Sequence, residues 1–304
     1  MKSGRRDFLK SAMAVTAAAV SVSPAKAIAA AQKHGETPGQ KCVGMLFDAT
    51  RCIGCMACMS ACKKANGLPP EHSRKGKLYD DPMDLSATTQ NIIKSTGGEN
   101  PVFVKRQCMH CKKPACVSVC MLGALHKSEG GVVAYDADRC VGCRYCQIAC
   151  AFNIPKFEWD KVAPKIVKCQ LCSHRLVEGQ EPACCDACPR DAVIFGHRNE
   201  LKKEARRRIR ENPDLYINHI YGENEAGGTL VMYLSSIPFT ELGLPDLPDE
   251  PVPELSETVQ HGIYKGFAAP VVLYGVLAGV LVRHRKKGAF RGEVDVAEEV
   301  DDAS

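Results

Sequence analysis

Short apolar runs alternate with longer polar stretches along most of this chain, and Gly, Pro and Cys are common between them. The apolar runs are brief and rich in β-branched residues, which is typical of small strands joined by loops. A short helix is expected after the last cysteine of each of four cysteine-rich segments. The pattern therefore indicates an α+β fold. The predicted strands are Met45–Phe47, Val102–Val104, Val132–Tyr135, Ile166–Val167 and Val193–Phe195.

The N-terminal segment has the pattern of an export signal. The pair Arg5-Arg6 precedes an uncharged stretch from Ser11 to Ala25, and small residues follow at Ala25–Ala27. A basic start, a short apolar stretch and a small-residue exit are typical of a twin-arginine signal peptide, predicted here for residues 1–27. The alternative is an uncleaved amphipathic helix.

The C-terminal segment resembles a membrane anchor. Gly266–Val282 holds 17 residues without a charge, and Arg283–Lys287 follows at once. A Pro-rich acidic linker (241–262) precedes it, and basic residues mark the cytoplasmic side of a span. We therefore predict a transmembrane helix over 263–282 and a cytoplasmic tail over 283–304, with the main body in the periplasm at the bacterial inner membrane. The alternative is a buried core helix.

Composition narrows the possible functions. The chain has 304 residues, of which 45% are hydrophobic and 25% charged, and its formal net charge is +5. The apolar fraction excludes a wholly disordered chain, and the mild charge does not favour nucleic acid as a partner. No nucleotide-binding glycine motif follows a strand, and no catalytic triad or carboxylate pair stands out. The chain is therefore not predicted to be catalytic by itself.

Cysteine is the outlier, with 18 residues in all. Sixteen of them form four groups, and the first and third share the spacing C-x2-C-x2-C-x3-C. This internal repeat predicts two pseudo-repeated dicluster ferredoxin-like modules over 42–240, with a polar insert at 63–101. The groups are Cys52, Cys55, Cys58, Cys62; Cys108, Cys111, Cys116, Cys120; Cys140, Cys143, Cys146, Cys150; and Cys169, Cys172, Cys184, Cys188.

Iron–sulfur ligation explains this spacing best. The first three cysteines of such a motif wrap one cluster, and the fourth ligates the neighbouring cluster. Sixteen cysteines would thus hold four [4Fe–4S] clusters. A disulfide framework and structural zinc are the alternatives, and zinc spacing fits only the last group. Cys184 is preferred to Cys185 as a ligand because only Cys184 keeps the x3 spacing, and Cys42 and Cys185 stay unassigned. His110 is expected to pack rather than to bind metal.

The motifs resemble those of the four-cluster iron–sulfur subunits of membrane-bound respiratory oxidoreductases, in particular the hydrogenase-2 type of [NiFe] hydrogenase. The resemblance covers nearly the whole chain. The segments that carry it are Gln107–Cys111, Asp138–Cys146, Ile154–Phe157, Lys168–Cys172, Cys188–Gly196 and Ile220–Thr229.

This resemblance implies how the cysteines divide among the clusters, with the first motif paired to the fourth and the second to the third. We number the four ligand sets 1 to 4. Set 1 is Cys52, Cys55, Cys58 with Cys188; set 2 is Cys169, Cys172, Cys184 with Cys62; set 3 is Cys108, Cys111, Cys116 with Cys150; set 4 is Cys140, Cys143, Cys146 with Cys120.

The resemblance also implies a function. Such a subunit relays electrons between the small and large subunits of a [NiFe] hydrogenase and a quinone-reactive integral membrane subunit, while its own helix anchors it in the lipid bilayer. The alternative is the same relay in a formate dehydrogenase, a polysulfide or dimethyl sulfoxide reductase, or another membrane redox complex. A protein of a different class, an assembly factor with structural clusters, is the second hypothesis.

Overall fold

The computed structural model describes residues 42–71, 77, 79–80, 82–265 and 268–286. The export signal predicted at 1–27, residues 266–267 of the predicted span and the tail beyond residue 286 lie outside the described residues.

The strands are short. They are β1 (Val43–Asp48), β2 (Ile92–Ser95), β3 (Phe103–Arg106), β4 (Leu125–Lys127), β5 (Val133–Tyr135), β6 (Lys156–Phe157), β7 (Ile166–Val167), β8 (Val193–His197) and β9 (Val231–Leu234).

Most of the helices are also short. They are α1 (Ala57–Ala65), α2 (Ala115–Ser118), α3 (Tyr145–Ala149), α4 (Ser173–Val177), α5 (Ala183–Asp186), α6 (Arg198–Glu211), α7 (Glu254–Lys265) and α8 (Ala268–Lys286), with a 3-10 turn at Glu225–Gly227.

A three-stranded sheet in the order β8-β1-β9 organises the body of the protein. Strand β1 runs antiparallel to β8 and parallel to β9. Because side chains alternate along a strand, Leu46 and Met232 pack on one face against α6, whereas Met45 and Phe47 pack on the other face among the cysteine-rich loops. The sheet thus separates a helical layer from the region that holds most of the cysteines.

The sequence pattern predicted the strands better than the helices. All five predicted strands are present, as β1, β3, β5, β7 and β8. Strand β9 was not predicted, because its residues are buried on both faces and form a continuous apolar run without alternation.

The predicted position of the short helices is wrong. In each motif the helix begins one residue before the third cysteine, not after the last one, at Ala57, Ala115, Tyr145 and Ala183. The third cysteine of each motif therefore lies in the first turn of a helix, which fixes its backbone.

Three hairpins complete the body. They pair β2 with β3, β4 with β5, and β6 with β7. The first hairpin shows that the predicted polar insert at 63–101 is partly a core segment, because Ile92 and Ile93 are buried. The amide of Asn91 also donates to the carbonyl of Cys58 at 3.3 Å, so this segment supports the first motif.

Helix α8 at the C-terminal end exposes apolar side chains such as Val271, Leu273 and Leu281. Among the residues that the structure describes, no helix combines the length and the apolar character needed to cross a membrane.

A buried carboxylate fixes the end of β1, four residues before the first ligand-motif cysteine. Asp48 is fully buried and accepts hydrogen bonds from Arg208 at 2.9 Å and from the hydroxyl of Tyr216 at 2.8 Å. The backbone and hydroxyl of Thr50 donate to it as well, at 3.1 and 2.6 Å. The pair with Arg208 ties α6 to the sheet and thereby holds the strand from which the first motif departs.

We predict that Asp48→Ala destabilises the body by about 1.5–3 kcal/mol, because Tyr216 and Thr50 lose a charged acceptor and Arg208 keeps only Glu204 as a carboxylate partner. The measurement is the denaturant midpoint at which the visible absorbance of the reconstituted protein disappears. Glu211→Ala is the matched control, because it removes the exposed partner of Arg207 on the same helix and should cost less than about 1 kcal/mol. Equal midpoints for the two variants would contradict the prediction.

Candidate metal centres

Strand pairing brings together the cysteines of set 1, which lie far apart in the sequence. The first motif follows β1, and β8 begins shortly after Cys188. Because β1 and β8 are antiparallel with Phe47 opposite Val193, the start of the first motif meets the end of the fourth. One cavity is lined by Cys52, Cys55, Cys58 and Cys188.

A β-hairpin brings the cysteines of set 4 together. Strand β4 follows Cys120 and β5 precedes the third motif, and the two strands pair with Leu125 opposite Tyr135. The pairing returns the chain to the end of the second motif. A cavity of about 310 Å³ is lined by the four cysteines of this set, Cys120, Cys140, Cys143 and Cys146.

Helix packing assembles set 2 from two motifs, and it does the same for set 3. Helix α1 packs on α5, and α2 packs on α3. The thiol of Cys62 interacts electrostatically with those of Cys184 and Cys172, and Cys169 interacts with Cys62 and Cys184. In the other pair, Cys111 interacts in the same way with the remaining members of set 3: Cys108, Cys116 and Cys150.

The four sets follow one another in the order 1, 2, 3, 4. Cys58 of set 1 interacts electrostatically with Cys184 of set 2. Cys169 of set 2 interacts with Cys108 of set 3, and Cys116 of set 3 with Cys146 of set 4. The arrangement is therefore a single file of cysteine groups.

The two ends of this file are its most exposed parts. Cys55 in set 1 and Cys143 in set 4 are exposed, whereas all four cysteines of set 2 are buried. Apolar side chains surround the set 4 cavity, among them Met121 and Val141, which are 84% and 72% exposed.

The loops between the first and second cysteines share one backbone feature. The second residue after the first cysteine is left-handed in all four motifs, at Gly54, His110, Gly142 and Leu171. Glycine is required in the first and third motifs, because a Cβ on Gly54 would lie 2.5 Å from the Phe103 ring and one on Gly142 2.9 Å from the Pro164 carbonyl. This turn directs successive cysteines toward one centre.

Backbone N–H groups donate to several of the sulfurs. The N–H of Gly142 lies 3.4 Å from Sγ of Cys140, that of Leu171 3.4 Å from Cys169, and that of Ala192 3.3 Å from Cys188. Such donors stabilise negative charge on sulfur and are one of the ways in which a protein sets cluster potentials.

Helix register distinguishes Cys184 from Cys185. In the first three motifs the third cysteine is the second residue of its helix, and in the fourth motif that residue is Cys184, because α5 begins at Ala183. Cys184 interacts with the sulfurs of set 2, whereas the thiol of Cys185 forms a hydrogen bond with Cys184 itself. Cys42, at the start of β1, lies outside all four sets.

Burial determines the protonation of the free thiols. Desolvation raises the pKa of Cys58 to about 12 and that of Cys116 to about 12, so both are protonated at neutral pH in the absence of iron. Iron binding therefore has to displace these protons. The positive charge of Lys105 opposes this rise in the pKa of Cys58, and that of Lys168 opposes it at Cys116. Burial acts to lower the pKa of Lys105, but interaction with the sulfurs of neighbouring cysteines, Cys184 first, raises it above its ordinary value.

The residues fit [4Fe–4S] clusters. Thiolates are the ligands that such clusters use, and each set supplies four of them. His110, inside the second motif, is fully buried; its Nδ1 accepts the N–H of Val133 at 3.1 Å, so its Nε2 carries the hydrogen of the neutral ring. That donor has no partner among the described residues, as expected where the acceptor belongs to a bound group. Within the described ranges, no three His, Cys, Asp or Glu side chains lie close enough to bind a single metal ion.

Comparison with known proteins agrees with this geometry. The 4Fe-4S dicluster domain family matches residues 100–198. The hydrogenase-2 operon protein HybA of Escherichia coli O157:H7 is 38% identical over 93% of this chain and 96% of its own length. The formate dehydrogenase-O iron-sulfur subunit of Escherichia coli K12 is 35% identical over 76% of this chain and 79% of its own length.

The chain belongs to the family of iron–sulfur subunits that includes HybA and the formate dehydrogenase-O iron-sulfur subunit. An iron–sulfur subunit of this family transfers electrons for an oxidoreductase complex and is not the catalytic subunit. When bound, its [4Fe–4S] clusters supply one-electron acceptors and donors; the chain's own residues hold them in file, exclude water from the middle of the file and place charge near the sulfurs. The predicted cofactor and the predicted electron-transfer role are both confirmed.

Some functional side chains of the iron–sulfur subunit were not singled out from the sequence. Lys105 and Lys168 are both buried next to cysteines. Each lies within three residues of a cysteine motif in a basic stretch that reads as ordinary surface charge. Only tertiary structure shows that they point inward.

We predict that Cys184→Ser removes or converts one cluster, because it deletes a thiolate of set 2. Cys185→Ser should leave all four clusters in place and is the matched control, since it makes the same change one residue away. Low-temperature EPR and iron analysis measure both. A lost cluster in Cys185→Ser with none lost in Cys184→Ser would show that the register is off by one residue.

Proposed function

We propose that this protein relays electrons through four [4Fe–4S] clusters between a periplasmic [NiFe] hydrogenase and a quinone-reactive integral membrane subunit. The observation that carries the proposal is the 38% identity to HybA along almost the full length of both chains. The single file of cysteine sets, exposed at both ends, supports a relay rather than a structural use of the clusters. The sets at the two exposed ends would face the two redox partners.

The ligand assignment is part of the proposal. Sets 1 and 4 are supported by the cavities that their cysteines line, and sets 2 and 3 by the mutual interactions of buried sulfurs. Iron and sulfide analysis of the protein purified without oxygen should give about sixteen of each per chain. Stoichiometric zinc with little sulfide would contradict the assignment.

We also propose export by the twin-arginine route, a periplasmic body and a C-terminal anchor in the inner membrane. Helix α8 supports the anchor, because apolar side chains described along it, such as Val271, Tyr274 and Leu281, are exposed. The acidic linker before the anchor and Arg283–Lys287 after it agree with a tail in the cytoplasm. The export signal supports the periplasmic side, because a folded cluster protein suits a pathway that carries folded cargo.

Truncation of the chain before Gly262 tests the anchor and the relay together. We expect a folded, cluster-containing periplasmic protein that no longer sediments with membranes. Hydrogen oxidation with an artificial dye should largely persist, because the catalytic subunits need only a nearby acceptor. Hydrogen-dependent quinone reduction should fall sharply, because the relay is no longer held at the bilayer.

Deletion of residues 288–304 is the matched control, because it shortens the same end but keeps the apolar segment and the basic cluster. It should behave like the full chain in sedimentation and in quinone reduction. A truncated protein that stays on membranes and reduces quinone at the full rate would show that other subunits hold it in place.

The second candidate is the same relay in a formate dehydrogenase. The formate dehydrogenase-O iron-sulfur subunit favours it through 35% identity over 76% of this chain. Dye reduction by the purified complex that depends on formate and not on hydrogen would assign this partner. The relay function would stand in either case.

A further inference from the structure

A lysine lies between the first two cysteine sets. Lys105 is on β3, and its side chain is almost completely buried. It lines the set 1 cavity, and its positive charge also acts on the sulfur of Cys184 in set 2. It interacts electrostatically with Cys52 and Cys58 on one side and with all four cysteines of set 2 on the other.

The position of this ammonium group is fixed by the protein. Its Nζ also donates to the side-chain oxygen of Gln107, and the backbone carbonyl of Lys105 accepts a hydrogen bond from Tyr233 at 2.7 Å. No carboxylate forms an ion pair with Lys105 in the part of the chain that the structure describes. Its charge therefore faces sulfur rather than a neutralising acid.

This arrangement differs from that of the other buried lysines near the motifs. Lys63 lies 2.7 Å from the carboxylate of Glu71, and Lys168 donates to the carbonyls of Val133 and Cys169 at 2.6 and 3.1 Å. Neither of them lines the set 1 cavity.

A fixed positive charge acts on the redox equilibrium of a neighbouring cluster. A [4Fe–4S] cluster with four thiolates is an anion, and reduction adds one further negative charge. Coulomb attraction to a cation is therefore stronger in the reduced state, and the attraction is large where water is excluded. Net charge and hydrogen bonds to sulfur are among the factors that set cluster potentials.

We propose that Lys105 is a positioning residue that raises the reduction potentials of the clusters held by sets 1 and 2. The inference rests on the ligand sets proposed above. The residue affects electron distribution without binding iron or a substrate.

The test is an EPR-monitored redox titration of the full chain in its complex, comparing the native protein with Lys105→Met and Lys105→Arg. In Lys105→Met we expect the reduced-to-oxidised ratio of two of the four clusters to fall at least tenfold at a fixed potential, which corresponds to about 59 mV per electron. Lys105→Arg should keep the native values because it retains the charge. The other two clusters should move less.

Lys94→Met is the matched control. Lys94 is on β2, adjacent to β3 in the same hairpin, and its removal changes the net charge by the same amount. Its ammonium donates to the carbonyls of Tyr79 and Pro82, and its charged neighbours are Asp80, Asp84 and Arg106 rather than cysteines. The four potentials of this variant should stay at the native values.

Three results would overturn the inference. The first is four intact clusters with unchanged potentials in Lys105→Met. The second is an equal shift in Lys94→Met, which would point to overall charge. The third is loss of iron from both Lys105→Met and a second neutral variant, Lys105→Gln, which would assign the lysine to assembly. A native protein without four clusters would instead contradict the proposed function.

Discussion

The four-residue separation between the third and fourth cysteines of each motif is the constraint on which the rest of the structure depends. In the first motif both Cys58 and Cys62 lie on α1, yet Cys58 lines the set 1 cavity and Cys62 interacts with the buried sulfurs of set 2. One helix therefore contributes to two sites, and neither site can be completed by its own motif. In the proposed ligand sets every site takes one cysteine from another motif, and the fold brings it there. The antiparallel pairing of β1 with β8 does so for the outer pair of motifs, and the β4–β5 hairpin does so for the inner pair.

Because one helix carries cysteines of two sets, the fold also buries some of the sulfurs. Because the shared helices pack against one another, the sulfurs of set 2 are removed from water. Desolvation opposes the thiolate form that iron requires, so the protein has to stabilise negative charge by other means. It does so with groups fixed by the fold: backbone N–H groups in the left-handed loops, and buried cations such as Lys105. The loop geometry that directs the cysteines inward is thus also the geometry that aims N–H groups at their sulfurs.

The sequence predicts correctly those features that depend on neighbouring residues alone. The cysteine spacing revealed the repeat, and the brief β-branched runs located β5, β7 and β8. The sequence did not predict helix positions or burial that depend on tertiary packing. The helices were placed after the motifs because the motif residues carry no helical periodicity; in the structure Pro114 and Pro182, or left-handed Met56 and Arg144, stand just before the third cysteine and start the helix there. Ile92 and Ile93 looked like part of a polar excursion because their burial depends on pairing with β3, which no local pattern reveals.

The difference between the ends and the middle of the file bears directly on function. A cluster that serves only to hold a fold has no reason to reach the surface, and burial of all four would protect them best from oxygen and solvent. The exposed ligand-motif cysteines are Cys55 and Cys143, the second cysteines of the first and third motifs. They belong to the first and last sets in the file. The apolar rim around Cys143 would leave a contiguous apolar surface facing water unless a partner covers it. A protected interior with two accessible ends is what a conductor between two proteins requires, and the pseudo-repeat supplies it because two similar halves joined through their inner sets leave their outer sets at opposite ends.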